Sequence, residues 1–328
     1  MTSKRVPPIT SATHEDTYRR VARLRYVTGF ATTYGEEADP RVPVFARIWH
    51  VQRVASVAKK LCSMMSGLDR ARLGKLTWWH DLNRWPFAHN AEKGNFDQAE
   101  NVREYFSSFV DCTERDLTDL QGIHTKDSTA LTDEARVVLV ADLLTGIIED
   151  PLMAVAGLNV NPRFIPSEVE ETLGFSLHED PWRRPCVDLA TEFHGADHPS
   201  PARFQQRFTA LFDGLVKEVL LLHRCADPDD SLSVFADIAQ TVRETFIRPV
   251  IFPLNNEKIC HASWLRQEVL PWYFEHVADA RQRLLQIDER GFVAEVVGIP
   301  GSPYASHQFH PDVGYVSREE PEMAFIRG

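Results

Sequence analysis

The chain has 328 residues and 43% hydrophobic content, long enough for one large domain or two modest ones around a substantial buried core. Its formal charge of -11 disfavours stable duplex nucleic-acid binding, which depends on Lys and Arg displacing counterions, and no run approaches the roughly 18 uncharged apolar residues of a membrane span. Five cysteines without a C-x-x-C pair argue against a disulfide framework or thiolate zinc site, and the first residues lack a signal-like apolar stretch, so the expected location is the cytoplasm.

Residues 1–40 are polar and broken by Pro7, Pro8, Gly29, Gly35 and Pro40, which predicts an irregular arm with a short helix around 14–27. From Val44, the apolar residues Ile48, Val51, Ala55, Ala58 and Cys62 recur at three- and four-residue steps and describe one buried helix face, with His50 near it. A second helix is expected from Asp69, a plausible N-cap, through Trp79 to His80 and Asp81, where Pro86 forces a loop. Further helices are predicted over 97–110 and 114–124, and a central one, apolar almost all round, begins near Asp133.

Prolines punctuate the segment 153–201, read as irregular connections with short helices that include His178, His194 and His198. Amphipathic helices are predicted over 202–225, 231–250 and 262–286, and Phe292–Val297 reads as a minor strand before an extended tail. The expected architecture is predominantly all-α: an arm (1–40), a helical core (41–152), the connection (153–201) and a C-terminal helical region (202–328). The apolar C-terminal helices are compatible with homo-oligomers.

Three helices that deliver His50, the doublet His80-Asp81 and Asp142 to one point would make a site of two imidazoles and two carboxylates. Such donors suit one divalent ion, Mn, Fe, Co, Ni or Zn, with Mg if substrate phosphates complete its shell. A single His in an apolar helix is more often a hydrogen-bonded core residue; the ordered set of four favours ligation. The pairs Cys260-His261 and His307/His310 lack spaced partners and read as loop residues.

The order of these residues resembles that of HD-type metal phosphohydrolases. The stretch His80-Asp81 through Pro86-Phe87-Ala88-His89 to Glu92 is similar to the HD-x-G-x-x-P-F-G-H-x-x-E segment of deoxynucleoside triphosphate triphosphohydrolases. Phe96 through Gln98 to Arg103 and Ala141-Asp142 followed by Glu149-Asp150 extend the likeness over about 41–152. The resemblance implies an HD core and hydrolysis at the α-phosphorus of a deoxynucleoside triphosphate to nucleoside and triphosphate. It further implies His89 and Glu92 as the acid/base pair, Glu92 orienting and charging His89, and Asp150 near the sugar. Arg84, Lys93 and Lys126 are candidates for phosphate neutralisation, and His124 lies where many HD domains place a phosphate-contacting His.

Asn83 and Arg84 stand where that family has Gly and a small polar residue or His, and Gly146 stands where it has a Tyr packed on the deoxyribose. Alternatives therefore stay open: a 5′-nucleotidase or phosphodiesterase, a di-iron HD oxygenase drawing on His89 and His124, or a nucleotide-binding protein without turnover.

Overall fold

A computed structural model describes residues 20–21, 23–24, 28–30, 45–157, 161, 164–174, 180–195, 201–253 and 265–302. The fold is predominantly α-helical, as read from the sequence. A short antiparallel ribbon of β1 (Thr28–Phe30) and β2 (Phe45–Ala46) leads into α1 (Arg47–Cys62). There follow α2 (Arg70–Trp79), α3 (His89–Glu92), α4 (Val102–Phe106), α5 (Glu114–Thr125) and α6 (Asp133–Ala156). The C-terminal half contributes α7 (Ser167–Leu173), α8 (Asp180–His194), α9 (Pro201–Leu222), α10 (Pro228–Val242), α11 (Arg243–Ile251), α12 (Leu265–Val269), α13 (Leu270–His276), α14 (Ala280–Leu284) and α15 (Glu289–Gly298).

Helix α6 is the axis of the fold. Thr132 caps it by accepting from the Ala135 N–H, and Asp133 and Glu134 in its first turn favour the helix dipole. Apolar residues are buried on every side of it, among them Val137, Val138, Ala141, Leu144 and Ile148, so it needs neighbours all round. It finds them in α1, α2, α5, α8, α9, α10 and α11. Helix α1 turns Val51, Val54, Val57 and Leu61 onto α6, which carries His50 inward with them.

The Asp69 carboxylate caps α2 by accepting the N–H groups of Ala71 and Arg72, a contact of about 1 kcal/mol. Helix α2 stops at Trp79, with His80 as its cap, so the doublet enters the turn as the spacing before Pro86 predicts. A reciprocal capping box between Thr113 and Asp116 opens α5, and Lys126 closes it in a left-handed conformation at φ 61°.

Several expectations are corrected. The helix predicted over 97–110 shrinks to α4, because the Asp97 carboxylate accepts the N–H groups of Ala99 and Glu100 and makes a turn; Val110, at the end of the predicted span, is 84% exposed. Phe292–Val297 lies within a helix: Asp288 caps α15 through the Gly291 N–H, and Phe292, Val293 and Val296 share its buried face. The span 231–250 divides into α10 and the wider turns of α11, where the Phe252 N–H reaches the Ile247 carbonyl five residues back. Pro249, which has no N–H, sits inside that segment. The span 262–286 breaks into α12, α13 and α14, and the connection 153–201 contains the 15-residue α8. His178, His198, Cys260-His261, His307 and His310 lie outside the described residues, as does most of 14–27.

Candidate metal centre

Three of the four residues read as ligands, His50, His80 and Asp142, converge; Asp81 stands beside the two imidazoles but falls outside that group. His50 Nε2 lies 3.1 Å from Asp142 Oδ1 and 3.8 Å from Asp81 Oδ2, and His80 Nε2 lies 3.4 Å from Asp81 Oδ2 and 3.8 Å from Asp142 Oδ1. For metal–ligand bonds of about 2.1 Å, adjacent donors stand about 3.0 Å apart in an octahedron and about 3.4 Å apart in a tetrahedron. The 3.1 and 3.4 Å edges match those lengths, and the two edges of 3.8 Å are longer. His50, His80 and Asp142 alone place one donor atom each within 4.8 Å of one another and could hold a metal ion.

The tautomers favour the same use. His80 Nδ1 donates to the Thr77 carbonyl at 2.6 Å, so Nε2 carries the lone pair; it is buried and has no hydrogen-bond partner among the described residues. A bare lone pair facing two carboxylates is costly without a cation. His50 Nδ1 lies 2.8 Å from Glu149 Oε2, which orients the ring and leaves Nε2 toward Asp142, the carboxylate–imidazole arrangement found behind metal-bound histidines. Glu149 is itself held by the Arg53 guanidinium at 2.7 Å.

Burial pushes His80 below its ordinary value despite the pull of Asp81 and Asp142, so the ring is neutral near pH 7. Burial and Arg47 push His50 down, but Glu149 and Asp142 outweigh them and its pKa rises. Burial opposes ionisation of Asp81 and Asp142, yet Arg47 and Lys126, respectively the foremost neighbouring cations, hold both well below the usual carboxylate range. Glu149 is likewise held down to about 2, burial being offset by Arg53 and His50. Both carboxylates are thus charged.

Arg84 is enclosed by the site. Its Nε reaches Asp81 Oδ1 at 3.1 Å, and its Nη1 reaches Glu92 Oε2 at 2.7 Å and His89 Nδ1 at 3.3 Å. Glu92 also accepts the Trp85 N–H at 3.0 Å and stands 3.8 Å from His89 Nδ1. The His89–Glu92 link expected from the sequence therefore runs through Arg84. Arg84, the nearest cation, holds His89 well below its ordinary pKa, so the ring is neutral rather than charged by Glu92. Guanidinium only donates, so Nδ1 accepts and Nε2 carries the proton.

His89 follows a turn in which Phe87 (φ 65°) and Ala88 (φ 38°, ψ -126°) both have positive φ. Non-glycine residues in such regions cost about 1–3 kcal/mol each and persist only when their surroundings impose them. The turn projects His89, 56% exposed at its side chain, into the mouth of a cleft of about 590 Å³ above the ligand cluster.

The other residues named from the sequence line the same cleft: Lys93, His124, Lys126 and Asp150. Lys126 Nζ pairs with Asp142 Oδ2. His124 is driven well below its usual pKa by burial and then by Arg84 and Lys126. Burial, then the neighbouring Glu149, raises Asp150 to about 7. Gly146 faces the cleft with nothing within 4 Å of where a Cβ would stand.

Arg47 and Arg243 escaped the sequence reading, and Glu149 was named there without a role. Arg47 grips Asp81 Oδ2 at 2.5 Å from one turn before His50 on α1, and that i, i+3 spacing was visible. Glu149 follows Asp142 by two helical turns, which puts both on one face of α6. Arg243, on α11, enters the cleft from the C-terminal half, and nothing in the local pattern marks it. Comparison of the sequence with models of known protein families and with curated proteins finds no match.

Proposed function

We propose that the chain is a metal-dependent nucleotide phosphohydrolase of the HD type, acting on a deoxynucleoside triphosphate at the α-phosphorus. The observation that carries this reading is the bare, buried Nε2 of His80 facing two ionised carboxylates beside His50. The nucleotide and the position of cleavage come from the likeness of residues 80–92 to the triphosphohydrolase segment.

His50, His80, Asp81 and Asp142 would hold one divalent cation, which supplies a lowered pKa for bound water and withdraws charge from phosphorus. The chain's own groups do the rest. Arg47, Arg84, Lys93, Lys126 and Arg243 surround the cleft and offset the charge of a polyphosphate. His89 presents Nε2–H to an incoming phosphoryl or 5′-oxygen; it accepts a proton at Nδ1 once Arg84 turns from it to a phosphoryl oxygen. Hydrolysis breaks the bond between the 5′-oxygen and phosphorus, the water oxygen leaves on triphosphate, and one water proton ends on the nucleoside hydroxyl.

A second reading, a 5′-nucleotidase or phosphodiesterase, is favoured by one feature. Arg47, Arg84 and Lys126 are each committed to a site carboxylate, while Lys93 and Arg243 make no ion pair among the described residues, fewer uncommitted cations than a triphosphate would use. A nucleotide panel assayed with Mn, Co, Ni and Mg separates the two. Triphosphate from a deoxynucleoside triphosphate supports the first; orthophosphate from a monophosphate supports the second; oxygen consumption with two irons per chain, or tight nucleotide binding without products, contradicts both.

A further inference from the structure

The turn that presents His89 is held from the far end of the chain. Glu289, fully buried at the start of α15, accepts the Phe87 N–H on Oε1 at 2.9 Å across 202 positions of sequence. The Phe87 ring meets Phe292 of the same helix edge-on, with centroids 5.8 Å apart. Arg23 ties the other end of the loop to the same region: it donates to the carbonyls of Leu82 at 2.7 Å, Arg84 at 2.6 Å and Ile287 at 2.7 Å. A two-residue run of positive φ relaxes unless an outside contact restrains it, and the Glu289 carboxylate is bonded at its first residue.

We propose that Glu289 is a positioning residue: it holds the Phe87–Ala88 turn and so sets His89 at the cleft mouth, which makes α15 part of the working site. An acid in a first helical turn also favours the helix dipole, and that role alone would need no bond to a distant amide. The inference rests on the proton-handling role proposed for His89, but its geometric half can be read without turnover.

The test compares Glu289→Ala and Glu289→Gln with the wild type, each with Mn loaded, by nucleotide hydrolysis, Mn titration and hydrogen exchange of residues 85–92. Glu289→Ala is expected to lower kcat by about 10- to 100-fold, with KM and Mn affinity within about threefold, and to speed exchange in 85–92. Glu289→Gln, whose amide oxygen still accepts the Phe87 N–H, is expected to restore kcat to within about threefold and to restore the protection. Unchanged kcat and exchange in Glu289→Ala would overturn the proposal, as would a Gln variant no better than Ala. If the Ala variant does not fold, the Gln variant decides: a wild-type exchange pattern and kcat support the proposal, and loss of both contradicts it. If no nucleotide is hydrolysed even by the wild type, the functional reading falls, and the exchange experiment still decides whether Glu289 holds the turn.

Discussion

Two buried clusters of carboxylates lie on neighbouring helices, and they are built differently. Between α2, α5 and α6, Asp116 and Asp119 face Arg72 and Lys75: Arg72 bonds Asp119 and lies 3.3 Å from Asp116 and 3.2 Å from Glu134, while Lys75 reaches Asp116 at 2.7 Å. Thr132 closes the network by donating to Asp119 at 2.7 Å. In this cluster acids meet cations and no imidazole takes part among the described residues. The cluster around His50 and His80 also pairs its acids with cations, Arg47 and Arg84 on Asp81 and Lys126 on Asp142, but it adds two imidazole nitrogens, one of which has no partner among the described residues. Matched charges alone make a clasp; a bare imidazole lone pair facing carboxylates makes a place for a cation.

Substitution should separate the two most sharply at His80. His80→Ala is expected to abolish metal retention and lower turnover by at least about 1,000-fold, while the metal-free protein stays folded, as metal titration, assay and thermal melting would show. Retained turnover in metal-free His80→Ala protein would break the distinction. Asp119→Ala is expected to do the converse. It should cost about 3 kcal/mol in urea unfolding, the low end for breaking a buried pair because Arg72 keeps some solvent contact, and leave metal affinity of the folded protein unchanged.

The cluster around His50 and His80 was only partly legible in the sequence. The candidate ligands could be read because each sits on a strongly periodic helix, α1 or α6, or just past a capped one, α2. The partners that orient them come from afar: Glu149 acts on His50 across 99 positions and Glu289 on Phe87 across 202, and no local signal links such pairs. The clasp was invisible for the same reason. Phe292–Val297 misled because its β-branched and aromatic residues suit a strand, whereas the Asp288 cap and one-sided burial against the core make it a helix. Arg84 read as a free phosphate binder; its ion pairs with Asp81 and Glu92 depend on a turn whose positive φ values nothing in Phe87 or Ala88 announces.

Smaller effects sharpen the contrast. Glu149→Gln should weaken metal binding by about tenfold, since it removes the charge behind His50 and keeps the shape, and titration with Mn would show it. In the clasp, Lys75 and Thr113 hold Asp116 below its ordinary value of 3.8 even though burial opposes its ionisation. A depressed carboxylate contributes stability above the unfolded value, which is lost as pH falls through the folded one. Urea unfolding between about pH 5 and about pH 2 should therefore show the wild type weakening below about pH 4, and Asp116→Asn, less stable at about pH 5, weakening less steeply over that range.

The most direct measurement is a crystal structure of the protein soaked with Mn, with the ion located by its anomalous scattering. The expected result is one ion bonded to His50, His80, Asp81 and Asp142. An ion bound elsewhere, or a site that stays paired as Lys126–Asp142 and Arg47–Asp81 at saturating Mn, would contradict the metal centre and the hydrolase built on it.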